Sequence, residues 1–207
     1  MENTRVKLAY KQEGAGKLIV LLHGFCGSKE YWKEVIPYLK DSYKVIAVDV
    51  RGHGETETTT VGYGIHDMAE DLYKFFKEND LKDAYIFGHS MGGYITLDFV
   101  EHHPELVKGY GLIHSTALPD SPEAKDNRSK GVSKVEQQGV SLFIHDLIPK
   151  LLAKDTREKE KEVLRTLIDI GIETRPAGII GALMAMKDRK DKNDVLQRSS
   201  IPALLLA

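Results

Sequence analysis

The sequence predicts an α/β fold: a mostly parallel sheet with helices on both faces, carrying an inserted helical segment. Three observations predict it. Short, nearly unbroken aliphatic runs, at 17–22 and 43–50, alternate with stretches whose apolar residues recur at helical spacing, the rhythm of parallel strands joined by crossover helices. Each glycine-punctuated motif falls just after such a run, at a strand's C-terminal end, where open α/β sheets place their ligand sites. From about Thr116 to Lys192 the rhythm stops and the chain becomes helical and charge-rich without a buried-strand run.

In order, 6–12 reads as a strand and Glu13-Gly14-Ala15-Gly16 as a turn into the aliphatic strand 17–22. Gly14-Ala15-Gly16-Lys17 is not a phosphate loop, because Leu18 stands where Ser or Thr is needed and a strand follows instead of a helix. His23-Gly24-Phe25-Cys26-Gly27-Ser28 comes next, with glycines that let the backbone turn and present an N–H toward the neighbouring strand ends. His23 reads as a brace for this loop and Cys26 as a small filler with no evident thiolate activator. The spacing of Tyr31, Trp32, Val35, Ile36 and Leu39 predicts a helix over 28–39, capped by Ser28. Strand 43–50 leads into Asp49-Val50-Arg51-Gly52-His53-Gly54, where Arg51 and His53 are expected to hold the loop's shape. Helix 66–77 has an inner stripe of Met68, Ala69, Leu72, Phe75 and Phe76.

Strand 81–87 then delivers the chain to Gly88-His89-Ser90-Met91-Gly92, followed by a helix over 91–102 that Pro104 ends. A serine hydroxyl attacks a carbonyl only if it stands clear of its neighbours, and a sharp strand-to-helix turn forces it clear. Gly88 and Gly92 flank the serine where side chains would crowd that turn. The following helix aims its free N–H groups and positive dipole end at the serine, so the Met91 amide is placed to stabilise an oxyanion. Taken alone, Gly-x-Ser-x-Gly also arises by accident; the strand before it and the helix after it are the setting the motif requires. His102 and His103 are expected to point to different sides of the helix end, so no metal shared by these two is expected.

Strand 107–114 follows, then helices over 122–138, 140–153, 156–170 and 175–187, and finally a buried-strand pattern over 200–207. The expected division is a core over 1–115, a helical cap over 116–192, and a return to the core over 193–207. Apolar cap residues such as Leu147, Ile179 and Leu183 mostly pack within a cap, but some should face the serine; Phe143 and Met184 are the substrate-contact candidates. Their apolarity points to an acyl or alkyl portion in the substrate.

Composition sets outer bounds. The 207 residues are 42% hydrophobic and 29% charged, ordinary for one globular domain with an insertion, and the net charge of −2 has mixed signs throughout. No nucleic-acid or anionic-membrane partner is expected. One cysteine makes no intrachain disulfide, and the first five residues lack the apolar stretch of a secretory signal, so a cytoplasmic address is expected. No apolar run approaches the roughly 20 residues of a membrane helix.

With His23-Gly24-Phe25, Asp49-x-Arg51-Gly52-His53-Gly54 and Gly88-His89-Ser90-Met91-Gly92-Gly93 in this order after successive strands, the sequence resembles the α/β-hydrolase superfamily. It is most similar to the capped branch of small-molecule esterases, lactonases and carbon–carbon bond hydrolases. The resemblance implies that Ser90 is the nucleophile, that the Phe25 and Met91 amides form the oxyanion hole, and that no metal or organic cofactor is needed. It implies a small-molecule substrate and hydrolysis of carboxylic esters or related acyl compounds through an acyl-serine. A lyase or carbon–carbon bond hydrolase on the same scaffold stays open, as does a non-catalytic binding module. Serine at the turn argues against the relatives that use aspartate there, the haloalkane dehalogenases and epoxide hydrolases. The family draws its acid from the loop after the strand that 203–207 would form, and its histidine from a later loop; neither region is in the sequence. The chain is therefore expected to be a truncated version of a longer enzyme. His114 at a strand end and Asp120 just beyond do not restore the base in the usual geometry.

Overall fold

The computed structural model describes residues 6–59 and 62–207; the stretch 1–5, where no signal pattern is read, lies outside them. The strands are β1 (Tyr10–Glu13), β2 (Lys17–Leu22), β3 (Tyr43–Val48), β4 (Ala84–His89), β5 (Val107–Ile113) and β6 (Ala203–Leu206). They form one sheet in the order β1-β3-β2-β4-β5-β6, with β1 antiparallel to β3 and every other pair parallel. Between them run α1 (Ile36–Leu39), α2 (Ile65–Glu78), α3 (Met91–His102), α4 (Pro122–Leu151), α5 (Lys154–Lys159), α6 (Lys161–Ile172), α7 (Pro176–Lys187) and α8 (Asn193–Arg198). The α/β class expected from the sequence is the observed one. Among the described residues no helix is long and apolar enough to cross a membrane.

Strand alternation divides the core in two. Leu18, Val20, Leu22, Ile46, Val48 and Ile86 join Met68, Leu72, Phe76, Ile95 and Phe99 on one face of the sheet. Ile19, Leu21, Val45 and Ala47 meet Trp32 and Ile36 on the other. Burial on both faces is why β2 and β3 read as continuous aliphatic runs. The register pairs Leu22 with both Val48 and Gly88, and Gly88 with Leu112. The C-terminal ends of four strands are therefore level, and the loops beginning at His23, Asp49, Ser90 and His114 emerge along one rim.

Several expected elements differ. The helix over 28–39 is broken into a 3-10 turn at Lys29–Trp32 and the short α1, with three-residue bonds from Val35 N–H to Trp32 O and Tyr38 N–H to Val35 O. Pro37 has no N–H to offer the Lys33 carbonyl, so the helical ladder cannot run through it. Ser28 does cap the turn, its hydroxyl accepting from Glu30 N–H at 3.2 Å. The first strand begins at Tyr10 rather than residue 6, although Val6 and Leu8 are buried. The helix expected over 156–170 is two helices, α5 and α6, parted at Glu160 (φ −103°, ψ 64°). The buried-strand reading of 200–207 is also corrected. β6 lies at the edge of the sheet, and Leu204, Leu205 and Leu206 are 48%, 62% and 48% exposed.

The helical segment between β5 and β6 follows the expected breaks elsewhere. α4 contains a kink at Gly139, whose φ of 81° and ψ of 170° belong to glycine. α7 is seated on the loop after β3, where the backbones at Gly52 and Gly178 touch: a Cβ on Gly178 would lie 1.9 Å from Gly52 O. The Tyr63 hydroxyl donates to Gly178 O at 3.2 Å beside this contact.

Candidate active site

Ser90 stands between β4 and α3 with φ 50° and ψ −113°. A non-glycine residue there costs on the order of 1–3 kcal/mol and persists only if its surroundings hold it. The surroundings are explicit. Ser90 N–H donates to Ile113 O at 2.9 Å, and Ser90 O accepts from Gly93 N–H at 2.9 Å and from the Ser115 hydroxyl at 2.8 Å. A Cβ on Gly88 would meet Gly92 O at 2.2 Å, and one on Gly92 would meet Leu22 O at 2.4 Å, which is why a side chain is excluded on either flank. Gly93 makes room for Ser115, whose Oγ would lie 2.3 Å from an added Cβ. The Ser90 side chain is half-buried, and among the described residues its hydroxyl has no hydrogen-bond partner.

The loop after β2 lies against this turn, for a Cβ on Gly24 would fall 2.7 Å from His89 Nδ1. Gly27 N–H closes the loop on Gly24 O at 3.0 Å. His23 is fully buried, and Nε2 accepts from Val50 N–H at 3.1 Å, so the proton is on Nδ1, which donates to Gly24 O at 2.8 Å. Burial pushes its pKa down to about 3. With both nitrogens engaged and the ring neutral, His23 braces two loops and carries no proton to Ser90. Cys26 is buried and burial pushes its thiol well above the ordinary range, which keeps it an inert filler. Among the described residues, neither Phe25 N–H nor Met91 N–H donates a backbone hydrogen bond within the chain. Met91 N–H opens α3, at the positive end of the helix dipole.

The next loop is held by a buried carboxylate. Asp49 Oδ1 accepts from Lys29 N–H at 2.6 Å, while Oδ2 accepts from the Lys29 ammonium at 2.7 Å and Glu55 N–H at 3.0 Å. It thereby ties the loop after β2 to the loop after β3. Arg51 forks onto Asp71, Nε to Oδ2 at 2.5 Å and Nη2 to Oδ1 at 2.7 Å, both side chains being buried. His53 Nδ1–H donates to Arg51 O at 3.0 Å, and burial lowers its pKa to about 4. Arg51 and His53 are thus structural, as their loop setting suggests.

Phe143 is buried on α4 with its ring 6.1 Å from that of Phe25, so the helical segment reaches the rim beside Ser90. Met184 is 38% exposed and outside the apolar cluster that holds Phe143. The two substrate-contact candidates therefore occupy different surroundings. Among the described residues no histidine hydrogen-bonds Ser90. His89 packs beside Tyr31 and His114, ring centroids 6.3 and 6.4 Å away, and burial with the neighbouring His114 lowers its pKa. Asp120 is engaged by Arg128 at 3.1 Å and by Arg189, not by a histidine. Sequence reasoning missed Ser115, Asp49 as a hub and Gly178 as the seat of α7. Only Asp49 had a local signal, its place at the end of a buried strand.

Residues 17–163 match the family model described as alpha/beta hydrolase fold. Among solved structures, a thermophilic esterase from Thermogutta terrifontis is 30% identical with a TM-score of 0.93, covering 99% of this chain and 76% of that one. The enol-lactonase of Burkholderia xenovorans LB400 is 23% identical with a TM-score of 0.88 over 96% of this chain and 76% of that chain, a likeness of fold. Among curated relatives, the dihydrolipoyllysine-residue acetyltransferase component of the acetoin cleaving system of Cupriavidus necator is 30% identical over 121 residues, 58% of this chain. The chain spans 32% of that protein and less than half the length of other curated relatives it matches.

Proposed function

Because the chain belongs to the alpha/beta hydrolase fold family, we propose that it forms the core of a serine hydrolase of carboxylic esters or related acyl compounds. The observation that carries this reading is the Ser90 turn: a strained backbone, a hydroxyl without a hydrogen-bond partner among the described residues, and the Phe25 amide on the neighbouring loop and the Met91 amide at the start of α3, neither of which donates a backbone bond among the described residues. In the proposed reaction Ser90 Oγ attacks the carbonyl carbon and its proton passes to a base. The carbonyl oxygen becomes an oxyanion held by the two amides. Collapse expels the alcohol, which takes up that proton, and water then cleaves the acyl-serine to release the acid and restore Ser90. We place the base and its carboxylate partner in sequence following Ala207, because among the described residues no histidine hydrogen-bonds Ser90. Residues 116–192 act as the cap. Phe143 supplies an apolar wall on the acyl side, and Met184 a second apolar contact reached from solvent.

Turnover of short p-nitrophenyl esters by the protein extended beyond Ala207 tests the proposal. Hydrolysis that Ser90→Ala reduces to the uncatalysed rate supports it. Hydrolysis indifferent to that change overturns it; no hydrolysis with any ester of the panel overturns it and favours a lyase or carbon–carbon bond hydrolase on the same scaffold. A second reading applies to the 207 residues alone: with no histidine bonded to Ser90 among the described residues, they form a module that binds a ligand without turnover. Rapid burst acylation of this form excludes that reading.

A further inference from the structure

A second cluster of reactive side chains lies farther along α3. Asp98 and His102 follow Ser90 by eight and twelve residues, roughly 12 and 18 Å along the axis at 1.5 Å per residue. His66, the second residue of α2, approaches them from the neighbouring helix. Asp98 Oδ1 is shared by both rings, lying 2.8 Å from His66 Nδ1 and 3.2 Å from His102 Nδ1. The two ring centroids are 4.6 Å apart, and the candidate donor atoms of all three side chains lie within 4.8 Å of one another. We infer that His66, Asp98 and His102 form a binding site for a late first-row divalent transition cation of the zinc class. The inference does not rest on the hydrolase reading.

The geometry suits such an ion. Ligands held about 2.0–2.1 Å from a tetrahedral metal are separated by about 3.3 Å; the His102 separation of 3.2 Å to Asp98 Oδ1 matches that value and the His66 separation of 2.8 Å is shorter, so His66 must swing outward slightly to admit an ion. Two ring nitrogens and one carboxylate oxygen are the donor set of zinc, cobalt, nickel and copper sites, whereas calcium and magnesium prefer oxygen alone. Two imidazole nitrogens converge on one carboxylate oxygen, so a single cation can take the place of the His66 hydrogen-bond proton and lie between both rings. His102 Nδ1 donates its proton to the Asp98 backbone O at 2.8 Å, and that proton must move to Nε2 for the ring to ligate.

The surroundings favour occupancy without building a closed cage. The Asp98 carboxylate is only 6% exposed, while the His66 and His102 side chains are 54% and 41% exposed. A cation reaches the donors directly from a cavity of about 480 Å³ that all three residues line together with Tyr94 and Lys192. That cavity leaves open coordination positions for water or a small ligand. Lys192 takes the other oxygen, Oδ2, at 2.7 Å and also contacts Glu101. It orients Asp98 with Oδ1 toward the rings, as outer partners orient metal ligands. Its own positive charge keeps the site weaker than an all-anionic cage. His103 does not take part: it bonds Glu70 at 2.7 Å and stacks on Tyr73, away from His102.

The test is a titration of the untagged 207-residue chain, stripped with chelator, by Zn(II) calorimetrically and by Co(II) in visible absorption. The expected result is one saturable site per chain, weakened roughly ten-fold or more by either His66→Gln or His102→Gln. Both side chains are exposed, so the variants should retain the parent's unfolding profile, checked in parallel. His145→Gln, at an exposed histidine on α4, should leave the affinity unchanged. Absence of saturable binding, or binding that survives in the double His66→Gln/His102→Gln variant, overturns the assignment. Neither outcome depends on whether Ser90 is catalytic.

Discussion

The two ends of α3 carry polar groups in opposite conditions. At the N-terminal end, Ser90 has a strained backbone and a hydroxyl without a hydrogen-bond partner among the described residues, held from behind by Ile113, Gly93 and Ser115. At the C-terminal end, Asp98 is engaged by His66, His102 and Lys192, on helical backbone with no strain. The difference lies in where the constraint sits. At Ser90 the backbone is over-determined and, among the described residues, the side chain is left free, which suits the proposed role of attacking an arriving carbonyl. At Asp98 the side chains constrain one another, which suits a cluster that ties two helices and exchanges protons for a cation.

The largest effect that separates the two ends is their response to acid. His23 and His53, which brace the loops beside Ser90, are buried and neutral, with pKa values lowered by burial to about 3 and about 4 from 6.5. The unfolded chain therefore binds more protons than the folded one in that window, and stability falls as pH falls below 6.5. The expected loss approaches about 1.4 kcal/mol per pH unit for each histidine, on the order of 4 kcal/mol between pH 6.5 and about 4.5. Asp98 acts lower. Its folded pKa is below the ordinary 3.8, so its contribution is present above that value and lost only as pH falls beneath it. Urea unfolding across this range measures both, and a flat profile between pH 6.5 and 4.5 would contradict the buried-histidine account.

A smaller effect comes from filling the turn. In Gly92→Ala the new Cβ would stand 2.4 Å from Leu22 O, a backbone atom of β2 that cannot step aside. The expected cost is roughly 3 kcal/mol, read from urea unfolding. A loss below about 1 kcal/mol would show that the turn is looser than described. The smallest change is Ser115→Ala. It removes one of two donors to Ser90 O and leaves Gly93 N–H in place, so about 1 kcal/mol should be lost. A neutral result would mean that Gly93 N–H alone holds the carbonyl.

What was legible in the sequence was local. The strand ends, the Gly88–Gly92 spacing around Ser90 and the kink near Gly139 depend on neighbours a few residues away, and each is present. The break at Pro37 is equally local, but the apolar spacing from Tyr31 to Leu39 continues through it and masks it. Long-range partners left no such trace. Ser115 reaches Ser90 across 25 positions, and Gly178 meets Gly52 only because α7 folds back. The exposure of β6 follows from its place at the sheet edge, which an apolar run does not encode. His66, Asp98 and His102 come from two helices, so their convergence leaves no mark in the sequence, where only His102 and His103 stand side by side.

In the proposed reaction Ser90 Oγ forms the covalent bond to the acyl group. Mass spectrometry of peptides from the protein extended beyond Ala207, quenched in acid during turnover of an activated ester, reads this directly. The expected result is one acyl group per chain on the peptide containing Ser90, absent in Ser90→Ala. An acyl group on another residue, or turnover without any acylated peptide, contradicts it.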